Sequence, residues 1–129
     1  MEYVSLPRPD LEAHRNSLML PMPDLLSMLT SQIGKKLTAY VAGVDDVKTI
    51  ESWIEGEPVP RDAESRLRLT YQIVMTLTIA DTPRVAQAWL IGVNPELGDR
   101  VPARLLREGK LDQVASQIVG AARAFVAGG

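Results

Sequence analysis

Apolar residues return at spacings of three and four along most of this chain, and glycine or proline separates the stretches in which they do so. That period matches one face of an α-helix, so the pattern predicts an all-α protein. After a proline-rich start, Leu25, Leu26, Met28, Leu29 and Ile33 form the first stripe, opened by Asp24 and closed by Gly34. A short second helix from about Lys35 turns Leu37, Tyr40 and Val41 inward and stops at Gly43. A third, from about Asp46 to Glu55, sets Val47, Ile50, Trp53 and Ile54 on one face before Gly56 and Pro58 break it. The fourth is the longest, from Arg61 or Asp62 to Ile79. Leu67, Tyr71, Val74, Leu77 and Thr78 form its main stripe, with Leu69, Ile73, Met75 and Ile79 on other faces. A helix apolar on several sides is buried on several sides, which makes this one the expected central strut. Its Asp62, Glu64, Arg66 and Arg68 read as a solvated set of i,i+4 charges.

Beyond the strut the punctuation becomes dense. Asp81-Thr82-Pro83 is a cap followed by a first-turn proline, opening a helix to about Ile91 whose Val85, Ala88, Trp89 and Ile91 or Gly92 are expected to face the strut. Asn94-Pro95 then initiates a turn in which Leu97 anchors the loop and Gly98 lets the chain reverse. Val101-Pro102 opens a short helix with Leu105 and Leu106, closed by Gly109. A last amphipathic helix carries Leu111, Val114, Ile118, Ala121, Ala122 and Phe125. At the other end, Pro7, Pro9, Pro21 and Pro23 mark residues 1–23 as an arm, in which Asp10 to Met19 forms a short helix using Leu11, Leu18 and Met19 as contacts. The organisation expected is an arm (1–23), a helix-turn-helix-like bundle (24–80) and a small C-terminal helical domain (81–129).

Composition narrows the class. With 129 residues, 46% apolar and 23% charged, the chain suits one globular domain with an appendage. The absence of cysteine rules out disulfides and thiolate metal sites and agrees with a reducing cytoplasm. No secretory-type start and no run approaching the about 20 apolar residues of a membrane span are present, so the chain reads as cytoplasmic with no membrane partner. His14 stands alone in the arm, and no phosphate-loop, dinucleotide or metal-ligand motif occurs. The reading is a binding module without cofactor or metal, not an enzyme.

The run Ala39 to Pro60, A-Y-V-A-G-V-D-D-V-K-T-I-E-S-W-I-E-G-E-P-V-P, resembles the helix-turn-helix of Xre-type regulators, with the gap from Gly43 to Ile50 one residue longer than usual. Such a unit reads DNA with its second helix, here through Lys48, Thr49 and Ser52, while Lys35, Lys36, Arg61, Arg66 and Arg68 flank the phosphates from neighbouring elements. Against this stand Asp45, Asp46, Glu51, Glu55 and Glu57. An acidic reading head is repelled by phosphate, so a scaffold role competes with operator binding.

The stretch W-L-I-G-V-N-P-E-L-G-D-R-V-P-A-R-L-L-R-E-G-K from Trp89 to Lys110, after the degenerate helix-turn-helix and the L-R-L-T-Y-Q of the long helix, resembles the Xre/MbcA/ParS antitoxins of type II toxin-antitoxin systems. The likeness spans about Leu25 to Phe125. Asp99 stands where the family pattern has a second glycine. The resemblance implies a partner, a RES-domain toxin that consumes or transfers from NAD, which the C-terminal domain would block sterically. It implies toxin contacts at Leu97, Pro102, Arg104, Leu105, Leu106, Arg107 and Phe125, with Arg104 and Arg107 pairing carboxylates on the toxin. It also implies operon autoregulation, and the apolar excess on the Leu25 helix and the strut suggests a homodimer. The alternatives are a DNA-binding transcriptional regulator and a stand-alone helical interaction protein.

Overall fold

The computed structural model describes residues 9–128. They form α1 (Pro9–Met19), α2 (Met22–Ile33), α3 (Lys35–Ala42), α4 (Val47–Ile54), α5 (Arg61–Leu77), α6 (Pro83–Ile91), α7 (Pro102–Glu108) and α8 (Leu111–Val126), with a 3-10 turn at Pro95–Leu97. The all-α expectation holds, and among the described residues the one departure from helix and turn is an isolated bridge between Asn94 and Arg100. No helix among them is long and apolar enough to cross a membrane.

The long helix is the strut its circumference suggested. α5 packs against α1, α2, α3, α6, α7 and α8, and Leu67, Tyr71, Ile73, Val74 and Leu77 are all buried. Its buried Thr70 and Thr76 hydroxyls donate to the carbonyls of Arg66 and Gln72 (2.7 and 2.8 Å), and among the described residues no buried side-chain N or O lacks a partner. The apolar cluster runs from Met22 to Ala122 and crosses the 80/81 boundary without a break. Residues 81–128 therefore share one core with the helices before them.

The amino-terminal helix is docked, by contacts other than those expected. Leu11, Leu18 and Met19 are exposed (50, 62 and 74%), while the small Ala13 and Ser17 are buried against α5. Asn16 hydrogen-bonds the Tyr71 hydroxyl, and burial pushes the pKa of that tyrosine up. Arg68 Nη1 donates to the carbonyls of Ser17 (3.0 Å) and Leu20 (2.9 Å), satisfying the end of α1. The rest of the predicted arm, residues 1–8, lies outside the described residues.

α2 starts at Met22, two residues before the expected cap, because Pro23 fits a first turn that needs no N–H; Asp24 sits inside that turn. Leu25, Leu26, Leu29 and Ile33 are buried, leaving Met28 on α2 and Ile79 after α5 exposed. Most of the apolar excess that suggested a homodimer is thus spent inside the monomer.

The longer turn after α3 causes no distortion. Gly43 is left-handed (φ 85°, ψ 17°), its N–H and that of Val44 return to the last turn of α3, and Asp46 caps α4. Thr49 donates its backbone N–H (2.8 Å) and its hydroxyl (2.9 Å) to the Asp46 carboxylate. Those bonds, the backbone one first, hold that carboxyl below the usual range.

Candidate partner-binding surface

Between α6 and α7 the chain builds a closed turn from local chemistry. Thr82 Oγ1 caps α6 through the N–H of Val85 (3.3 Å), and Pro83 occupies the first helical position. After Gly92, the buried Asn94 accepts from Glu96 N on its side chain (2.9 Å), while its carbonyl receives Leu97 N and Asp99 N (3.0 and 2.9 Å). Its own N–H donates to Arg100 O (3.0 Å), which closes the loop. Leu97 is driven into the core at 1% exposure. Gly98 and Asp99 follow at φ 65° and 63°.

Asp99 therefore holds a left-handed conformation at the position where the resembled pattern has glycine. Aspartate tolerates this region better than most residues, at a cost of order 1 kcal/mol that glycine avoids. Asp99→Gly is expected to raise stability by about 0.5 kcal/mol, and the β-branched Asp99→Val to lower it by about 1–2 kcal/mol. Chemical denaturation of the three proteins checks both signs.

The residues proposed from sequence divide by burial. Leu97, Pro102 and Leu106 are buried and hold α7 and its preceding turn to the core, so their surface is not available to a partner. This corrects their assignment as contacts. Arg107 is also spent internally. Its Nη1 donates to Tyr40 O (3.0 Å) and Val44 O (3.2 Å), its Nη2 pairs with Asp45 (2.9 Å), and its guanidinium lies 4.9 Å from the centre of the Tyr40 ring. Tyr40, expected inward, instead stands at the surface under that arginine. Arg104 is exposed and Leu105 half-buried. Arg104 pairs with Glu108 (3.0 Å), a bond that pushes its pKa further up, and both line a cleft of about 410 Å³ with Leu105 and Val101.

Phe125 is half-buried against the core, and with it comes a residue placed differently by the sequence reading. Trp89 is half-buried too. The core side of α6 is Ala86 and Leu90, one position out of phase with the expected stripe. Trp89 and Phe125 instead form two walls of a cleft of about 290 Å³, with Ala88, Asn94 and Glu96 among its lining. Ile91 and Val93 beside it are 62 and 65% exposed. Trp89 and Ile91 were expected to face the strut, and Val93 carried no expectation.

The residues proposed for DNA sit on a surface of mixed sign. Lys35 pairs with Glu51 (3.2 Å), and Thr49 has committed its hydroxyl to Asp46. Lys36, Lys48 and Arg61 are exposed and Ser52 half-buried, on or beside a helix that also exposes Glu51 and Glu55. No family model matches the chain, and neither a curated protein nor a solved structure matches it.

Proposed function

We propose that the chain is an antitoxin-like binding module whose carboxy-terminal third covers the surface of a partner protein, and that this partner is a RES-domain enzyme acting on NAD. One observation carries the binding part. Ile91 and Val93 are more than half exposed beside a cleft walled by Trp89 and Phe125, on a turn fixed by its own hydrogen bonds. Aromatic walls and exposed aliphatics on a rigid support are the composition of a protein-binding hot spot. The nature of the partner rests on the resemblance of Trp89 to Lys110 to the toxin-antitoxin family. Inhibition would be steric, as the same resemblance implies.

Coexpression with a RES-domain reading frame adjacent to this gene tests the proposal. A complex that copurifies, with cellular NAD preserved relative to expression of the neighbour alone, is the expected result. Absence of both overturns it. The acidic outer face of α4 speaks against a transcriptional regulator, and a gel shift with upstream DNA across a salt series is expected to show no specific band.

A further inference from the structure

The Trp89–Phe125 cleft has an electrostatic sign. Glu96 stands exposed on its rim, and its carboxylate has no ion-pair or hydrogen-bond partner among the described residues. The other walls come from the last turn of α6, at Ala88, Trp89 and Gly92, and the last turn of α8, at Ala124 and Phe125. The final carbonyls of a helix lack intrahelical donors and carry partial negative charge. Two aromatic rings, the Glu96 residue and the last turns of two helices thus line one cavity, with no cation among its lining residues.

We propose that this cleft receives a long basic side chain, arginine or lysine, projecting from the partner protein. The aliphatic stem of such a residue packs against Trp89 and Phe125, and its cation reaches Glu96. Neither a neutral apolar side chain nor an acidic one satisfies that carboxylate. The inference deepens the antitoxin reading and rests on it. A partner that grips the two phosphates of NAD presents cations around that site, and a module covering it needs an anion to meet them.

The test uses the full chain and the copurified RES-domain partner, with affinity measured by calorimetry. Glu96→Gln is expected to weaken the complex roughly tenfold and Glu96→Lys roughly a hundredfold, while Glu57→Lys, an equal charge change on the exposed loop after α4, leaves affinity unchanged. Raising salt should weaken the wild type more than Glu96→Gln. The Glu96 side chain makes no bond among the described residues, so circular dichroism of the variants should match wild type. On complex formation, fluorine resonances of a 5-fluorotryptophan-labelled chain should shift at Trp89 and stay fixed at the buried Trp53. If the wild type binds but Glu96→Lys binds equally well, or Glu57→Lys weakens binding as much, the cleft assignment falls and the antitoxin reading survives. If the wild type forms no complex, the reading falls and this inference falls with it.

Discussion

Removing everything beyond Gly109 is expected to unfold the protein, not merely to disarm it. α8 lies along α5 and contributes Val114, Ile118, Ala121 and Ala122 to the buried core, with Leu111, Val119 and Phe125 packed against it. A fully buried Val or Ile stabilises by about 1.5–3 kcal/mol, so two of them, two alanines and three half-buried residues sum to about 6–10 kcal/mol. That is comparable to the about 5–15 kcal/mol by which a whole domain is stable. The strut would also expose the side that α8 covers. Far-UV circular dichroism of the truncated chain should therefore show loss of helix well beyond the deleted residues, and no cooperative melt. Removing only residues 126–129 spares the core contributors, and its midpoint is expected to stay within a few degrees of the full chain. A truncation that abolished partner binding would mean little without this control. If the chain cut after Gly109 melted cooperatively, the shared core described here would be wrong.

How far the sequence spoke depends on the range of the interaction. Helix ends are decided within a few residues, and these were legible: Thr82-Pro83 starts α6, Gly43 ends α3, Asp46 caps α4 and Asn94-Pro95 opens the closed turn. The phase of a short helix is a weaker signal. In P-R-V-A-Q-A-W-L-I apolar residues occur on several sides, so only packing decides that Ala86 and Leu90 go fully inward while Trp89 packs at the core's edge and Ile91 stays exposed. The same limit misassigned Leu97 and Leu106, because an apolar residue in a recognisable motif serves a core as readily as a partner. Ala13 and Ser17 were missed for the opposite reason: small residues make close helix contacts yet carry almost no hydrophobic signal.

Arg66, Arg68 and Arg107 were the least legible of all, since each acts across the fold. Arg66 and Arg68, read as solvated i,i+4 partners of Asp62 and Glu64, do make those pairs, yet they also cap distant helices. Arg68 takes the end of α1, Arg107 the end of α3 and Arg66 the end of α7. Gln87 does the same for α2 through Gln32 O (2.8 Å). Sequence separations of 40 and more between donor and acceptor put these bonds beyond any local pattern. At α2, α3 and α7 they add to the glycine caps Gly34, Gly43 and Gly109, and they fasten each helix to another as they do so.

Arg66 makes the sharpest test of that idea. Its Nη1 donates to Leu106 O at 2.7 Å and Gly109 O at 3.0 Å, and its side chain is only 13% exposed. Arg66→Met keeps much of the apolar stem and leaves both carbonyls, at the junction of α7 and α8, without a donor. Hydrogen bonds to a charged group contribute about 1.5–3 kcal/mol each, and stranded acceptors add to the loss. Some water entry offsets part of it, so the expected cost is about 2–4 kcal/mol, or a melting midpoint lowered by roughly 8–15 °C. Asp62→Ala removes only the ion pair, whose acid is 75% exposed, and is expected to cost a few tenths of a kcal/mol. Arg66→Lys, with one ammonium in place of a planar fork, should recover part of the loss. Hydrogen exchange adds a local readout: in Arg66→Met the amides of α7 and the first turn of α8 should exchange faster than those of α2 and α3. Equal losses from Arg66→Met and Asp62→Ala would return Arg66 to the surface role its spacing first suggested.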